Sequence, residues 1–135
     1  FYIVRYAEVL LSLAEADIEK GTNFDEAVRL INQVRARAKM PSVENVEGTG
    51  LSQDQLRAIV RHERRVETAF EGLRLFDLYR WHTLKDAVDR VNNEAKTYKF
   101  PYEYRNYRGE KEYVWPIPQP DVDSNHDLEQ NDLWK

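Results

Sequence analysis

The segment from Arg61 to Trp81 constrains this chain more than any other. It is densely charged, yet apolar residues of core size recur through it at helical spacing. At about 100° per residue, Leu56, Ile59, Val60, Val66 and Phe70 share one broad apolar face. Glu63 falls near the middle of that face and Glu67 close to it, while Arg57, Arg61 and Arg65 form a ridge on the other side. A carboxylate within an apolar face must be paired or protonated, because stranding its charge there is too costly. Arg74 and Arg80, just downstream, and Arg5, far upstream, are the expected partners. The pattern predicts a charged lock between helices built from Glu63, Glu67, Arg74, Arg80 and Arg5. A catalytic or ligand-binding role for Glu63 is the rival reading.

The rest of the sequence fits a helical domain, or a piece of one. The 135 residues are 41% hydrophobic, enough for a core, and 33% charged. The net charge is −4 and the basic residues are interleaved with acidic ones, which disfavours nucleic acid as a partner. With no cysteine there are no disulfides or thiolate metal sites. No apolar run approaches the roughly 20 residues that span a bilayer, and no signal peptide is visible. Phe1-Tyr2-Ile3-Val4-Arg5-Tyr6 runs into helical periodicity without a cap or polar leader, so the chain is expected to begin inside a larger protein.

Ile3, Tyr6, Ala7, Leu10, Leu13 and Ala14 predict a first helix, ended near Lys20-Gly21. Asn23, with Glu26 three residues later, is the expected cap of a second, whose buried stripe is Phe24, Ala27, Val28, Ile31, Val34 and Ala38. Pro41 closes this antiparallel pair, about residues 2–40, which is tetratricopeptide-like in its small contact residues. A loop follows over 41–50. Ser52 and Gln55 form a capping box, with Leu51 as a staple onto Leu56, opening charged helices over about 52–96. Gly72 is expected to break them, and Thr83 with Asp86 to cap a further helix. From 98 to 115, aromatic residues alternate with polar ones and predict a small β-hairpin, with Pro101 confining it to an edge. The prolines of Trp115-Pro116-Ile117-Pro118-Gln119-Pro120 predict an extended C-terminal segment. The fold class is mostly α, with helix pairs, additional helices, the hairpin and the extended tail.

No catalytic constellation emerges. His62-Glu63 opens like a zincin motif, but Val66 stands where the second histidine is required. Asp121 to Glu129 carries oxygen ligands at alternate positions with Asp132 at the twelfth, resembling a calcium loop; His126 replaces its turn glycine and flanking helices are missing. No metal, cofactor or catalytic residue is therefore assigned. The stretch from Tyr98 to Trp115 holds seven of the sixteen aromatic residues. Aromatic faces accept the C–H face of a sugar while polar neighbours bond its hydroxyls. Tyr104 and Tyr107, beside Arg105 and Asn106, are the candidate ligand-binding residues; the rival reading has these rings packing the hairpin onto the helices.

The motifs taken together resemble the C-terminal region of the SusD/RagB family of Bacteroidota. They are Arg5-Tyr6-Ala7-Glu8 with Leu13-Ala14-Glu15-Ala16, Ile31-Asn32-Gln33-Val34-Arg35-Ala36-Arg37-Ala38, and His62-Glu63-Arg64-Arg65-Val66-Glu67. Phe70-Glu71-Gly72-Leu73-Arg74, Phe76-Asp77-Leu78, Arg80-Trp81, Trp115-Pro116-Ile117-Pro118, Asn125 and Gln130-Asn131 follow in the family's order, and His126 departs from it. The resemblance implies that residues 1–135 are the C-terminal portion of a SusD-like domain. It also implies a cell-surface outer-membrane lipoprotein for nutrient uptake and polysaccharide utilisation. Such a protein captures oligosaccharides or other nutrients and lids a TonB-dependent, SusC-like transporter. Its only membrane attachment is an N-terminal lipid anchor, absent from this chain. A tetratricopeptide-type scaffold that binds protein rather than sugar is the alternative.

Overall fold

The computed structural model describes residues 4–101 and 103–135, so Ile3 of the first stripe and Tyr102 of the expected hairpin lie outside the described residues. The chain divides into two compact units, Phe1–Arg74 and Leu75–Lys135.

The first unit is built on α1 (Tyr6–Lys20), α2 (Phe24–Arg37), α3 (Val43–Glu47) and α4 (Gln53–Glu67). α1 and α2 pack as an antiparallel pair, and α4 lies against both, while α3 rests on α2. Leu10, Leu11, Ala14 and Ile18 of α1 meet Ala27, Leu30, Ile31 and Val34 of α2, with Val43, Leu56 and Val60 completing the core. The α1 stripe is rotated from the expected one: Leu11 and Ile18 are inside, whereas Tyr6 and Leu13 are exposed. The reason is that α1 has two partner helices and buries the face between them. Ala38 is exposed because α2 ends before it.

Local chemistry sets the helix ends. Gly21, at φ 73°, donates to the Ile18 carbonyl, and Thr22 donates to that of Asp17, which is a Schellman closure of α1. The side-chain amide of Gln53 donates to the Ile18 carbonyl at 2.6 Å, tying the start of α4 to the end of α1. Ser52 and Gln55 form the capping box in full, and Leu51 packs on the core. Asn23 precedes α2 in a left-handed conformation without bonding its backbone; its amide reaches Asp17 instead, and Glu26 binds Arg29. α4 stops at Glu67, short of Gly72, and the Thr68 hydroxyl bonds the Arg64 carbonyl there. Phe70 falls beyond the helix at φ 66° and is exposed, as is Val66. The buried face of α4 is Leu56, Val60 and Arg64, turned roughly 60° from the expected one. An arginine stem covers apolar surface as well as a valine does, provided its head is paired.

The second unit carries most of α5 (Arg74–Arg80), then α6 (Leu84–Tyr98), α7 (Gln119–Ser124) and 3-10 turns at Glu110–Tyr113 and Asp132–Trp134. The described residues hold no strand, so the expected β-hairpin is replaced by irregular chain and a 3-10 turn. Side-chain amides take over the work of a partner strand. Asn92 of α6 accepts from the Arg105 N–H at 3.1 Å and donates to its carbonyl at 2.7 Å. Gln130 does the same for Ile117, at 2.9 and 2.8 Å. The Trp134 indole donates to the Val114 carbonyl at 3.0 Å. Thr83 does not cap α6 through its side chain; the Leu84 N–H donates to the Tyr113 hydroxyl. The proline-rich stretch is only partly extended, since α7 starts at Gln119 with Pro120 in its first turn, where a missing N–H leaves nothing unsatisfied.

Two outcomes test this account. Gly21→Ala should lower stability by about 1 kcal/mol in denaturant unfolding, from the left-handed backbone alone, since an added Cβ meets only the Gln53 amide at an ordinary 3.7 Å. Glu19 receives Arg57 at 2.7 and 2.8 Å, and that hydrogen bonding, against some desolvation, holds its carboxyl below the usual 4.5. A depressed folded-state pKa contributes stability that is present above about 4.5 and is lost as pH falls through the folded value. Thermal melts from pH 6 downwards should therefore fall less steeply below about 4.5 in Glu19→Gln than in the wild type.

Candidate functional site

In the first unit α4 presents arginines to α1 and carboxylates to α2. Arg57 grips Glu19 through both carboxylate oxygens and also binds Asp54, and Arg61 reaches Glu19 at 3.4 Å. Buried Arg64 donates to the Ser12 hydroxyl at 2.9 Å and stands 3.6 Å from Glu8. On the other side, Glu63 accepts from Arg35 Nε at 2.9 Å and Nη2 at 2.7 Å, with both side chains at most 15% exposed. Glu67 is shared: Arg37 holds both its oxygens, while Arg5 bonds its carboxylate and its backbone carbonyl at 2.8 Å each. Arg5 also pairs with Glu71 at 2.7 Å.

The residues of the expected lock are thus distributed over several pairs. Glu67 meets Arg5. Glu63 takes Arg35, a partner that the sequence reading did not name, although Arg35 continues the Ala27, Ile31, Val34 stripe. Arg80 lies in the second unit and pairs with nearly buried Asp77 at 2.9 Å, its guanidinium 4.8 Å from the Trp81 ring centre. Arg74, the first residue of α5, ends the first unit. Glu15, Arg64 and Asp77 are buried charges that sequence reasoning missed. Arg64 gave a signal, because it lies at i+4 from Val60 and i+8 from Leu56.

The aromatic stretch of the second unit splits into engaged and open rings. Tyr113 is the hub: its ring stacks on His82 at 4.1 Å and meets the edges of Tyr79 and Tyr107 at 5.7 and 6.1 Å. The Tyr107 hydroxyl donates to Glu110 at 3.0 Å. Desolvation, followed by that bond, raises its pKa above the ordinary phenol value, so it remains a donor. Tyr107 is half-buried, whereas Tyr104 is 61% and Trp115 76% exposed. Tyr104 follows Glu103 on the loop whose next residue, Arg105, is clamped by Asn92. The arrangement offers open aromatic faces beside polar groups on a backbone held from behind.

The metal motifs do not assemble. Among the described residues no three His, Asp or Glu side chains converge to hold an ion. The calcium-like stretch is interrupted by α7; Asp123 accepts from Gln119, and Glu129 and Asp132 both bind Lys135. No helix among the described residues is long and apolar enough to cross a membrane.

The chain matches known proteins in sequence and in fold. A model of the SusD family matches residues 1–134. SusD-like protein P2 of Formosa agariphila is 35% identical over 132 residues, covering 95% of this chain and 24% of the relative. SusD-like protein P38 of the same organism is 28% identical over 96% of the chain and 24% of its own length. The crystal structure of a SusD-like protein from Bacteroides fragilis superposes with a TM-score of 0.71 at 27% identity, covering 96% of this chain and 25% of that one. The chain therefore spans about a quarter of the length of the relatives it matches.

The Arg35–Glu63 pair gives a direct test. Glu63→Ala leaves the Arg35 guanidinium buried, with the Pro41 carbonyl at 3.5 Å as its remaining hydrogen-bond acceptor among the described residues. Stability should fall by about 3 kcal/mol in urea unfolding, within the range for breaking a buried pair. Glu103→Ala, at an exposed residue, should change it by less than about 0.5 kcal/mol. Equal effects of the two substitutions would remove the lock.

Proposed function

The chain belongs to the SusD family, and on that premise we propose that it is part of a cell-surface protein that binds glycans for nutrient uptake. In this reading the whole protein is an outer-membrane lipoprotein. It captures oligosaccharides and passes them to a TonB-dependent, SusC-like transporter without covalent chemistry. Family membership over residues 1–134 carries the proposal. The open ring of Tyr104 supports a share of the ligand surface in the second unit, with Tyr107 beside it as a hydroxyl-bearing wall. Stacking of this kind gives modest affinity, which suits a protein that must release its cargo.

One observation favours the scaffold alternative. Val9 is exposed with Tyr6 and Leu13, forming a stripe at i, i+3, i+7 that the described residues leave uncovered. Such a face suits a helical protein partner.

The test is a glycan-array screen followed by calorimetry with the best ligand. Tyr104→Ala should weaken binding about fivefold or more, and Tyr107→Ala by less, with unchanged circular dichroism. Glycan binding that neither substitution alters would move the site away from these tyrosines. A folded protein that binds no glycan, but captures a partner sensitive to Tyr6→Ala and Leu13→Ala, would favour the scaffold.

A further inference from the structure

A cavity of about 470 Å³ lies in the first unit, between the start of α2, the short α3 and the loop before α4. Its deep end is apolar: Val43 and Leu56 are fully buried there, and Val28 and Leu51 are half-buried beside them. Phe24 forms part of the wall, and the lining includes two carboxylates, Asp25 and Glu44. This differs from the rest of the unit. The carboxylates that face α4 are matched by guanidinium groups, whereas neither Asp25 nor Glu44 forms an ion pair among the described residues. Of the other carboxylates nearby, Glu26 is taken by Arg29 and Asp54 by Arg57, and Arg35 acts on Glu44 only as the weakest of the influences on its carboxyl, which leaves Asp25 and Glu44 as the acids of the lining without an ion-pair partner among the described residues.

Glu44 is fixed as well as charged. Asn32 of α2 accepts from the Val43 N–H at 2.8 Å and donates to the Glu44 carboxylate at 2.9 Å, so one side chain sets both the start of α3 and the acid. The Glu44 backbone N–H, then Asn32 and Ser42, hold that carboxyl below the usual range. Glu44 is therefore an anion at neutral pH, already positioned, and faces a partner with little reorganisation left to make. The first turn of a helix is an ordinary place for an acid, and both acids lie in one. That placement does not account for the apolar chamber between them.

An apolar depth with an anionic lining recognises one kind of group, a cation carried on a hydrocarbon stem. We propose that this cavity receives a lysine or arginine side chain presented by a segment of a partner protein. The methylenes lie along Val28 and Leu51, and the charged head meets Asp25 and Glu44 with Phe24 at its side. A neutral apolar group would fill the depth and gain nothing from the two carboxylates, which would stay with water and, for Glu44, with Asn32, and an anion would be repelled. This site is independent of the aromatic surface in the second unit and stands whether or not that surface binds sugar.

The five glycines make the test specific. Gly48 and Gly50 line the cavity, while Gly21, Gly72 and Gly109 lie outside it and serve as internal references in an amide correlation spectrum of the protein. Titration with n-butylammonium should shift the Gly48 and Gly50 peaks saturably and leave the other three in place. n-Butanol should bind at least about fivefold more weakly, the equivalent of about 1 kcal/mol. Asp25→Asn and Glu44→Gln should each weaken the ammonium several-fold and leave the alcohol unchanged. Both variants keep the fold, because the amide of Glu44→Gln still offers Asn32 a carbonyl acceptor and Asp25 is exposed. A pentapeptide with a single lysine should reproduce the shifts, and its Nε-acetylated form should not. Equal binding of alcohol and ammonium, the absence of any shift, or ammonium binding that the lysine peptide fails to reproduce would each overturn the proposal.

Discussion

The pairing of Arg35 with Glu63 is the contact on which the seating of α4 depends. α4 buries only two aliphatic side chains completely, Leu56 and Val60, each worth roughly 1.5–3 kcal/mol. Two such residues draw a helix onto a pair but tolerate a slip along it. The charges remove that tolerance. Arg57 and Arg64 must meet Glu19 and Glu8 on α1, while Glu63 and Glu67 must meet Arg35 and Arg37 on α2. A slip of one residue turns α4 by about 100° and breaks both sets at once. Buried ion pairs add little net stability over apolar replacements, but an unmatched one is heavily penalised. Their contribution here is therefore the choice of a single register, and it explains why so charged a helix sits in the core of the unit.

Much of this unit was legible from spacing and capping chemistry. Gly21, the Ser52–Gln55 box and the α2 stripe follow from short-range rules that need only a few neighbouring residues. The orientation of α4 was not legible in the same way. A hydrophobic count gives Val66 and Phe70 to the buried face and gives Arg64 to the surface. The structure reverses this, because Arg64 has Ser12 and Glu8 waiting on α1, whereas Phe70 lies past the end of the helix. A partner fifty residues away has no signature in local periodicity. Arg35 was closer to being readable, since its place on the stripe of Ile31 and Val34 marks it as a buried cation that needs a carboxylate.

The second unit misled the reading for a different reason. Alternating aromatic and polar residues between Tyr98 and Trp115 imitate a strand, but a strand also needs a partner for its backbone groups. Asn92 and Gln130 supply that partner from their side chains, each offering one donor and one acceptor to a single residue of irregular chain. Free of strand geometry, Tyr107 joins Tyr79 and His82 around Tyr113, whose hydroxyl also closes the start of α6. Of the two tyrosines singled out as ligand residues, Tyr107 is thereby drawn into the packing, and Tyr104 is left open.

These clamps bear on what an exposed ring can do. A tyrosine on a mobile loop must be ordered before it can stack on a ligand, and each immobilised side chain costs about 0.5–1.5 kcal/mol on binding, with loop ordering added. Arg105 is held through both backbone groups, which restricts the chain next to Tyr104. Ile117 is held in the same manner two residues from the open face of Trp115. The backbone share of the ordering cost is then reduced, and the side-chain share is left to the ligand. A contact as weak as one ring against one sugar face can register as binding on such a surface, and it remains weak enough to let go.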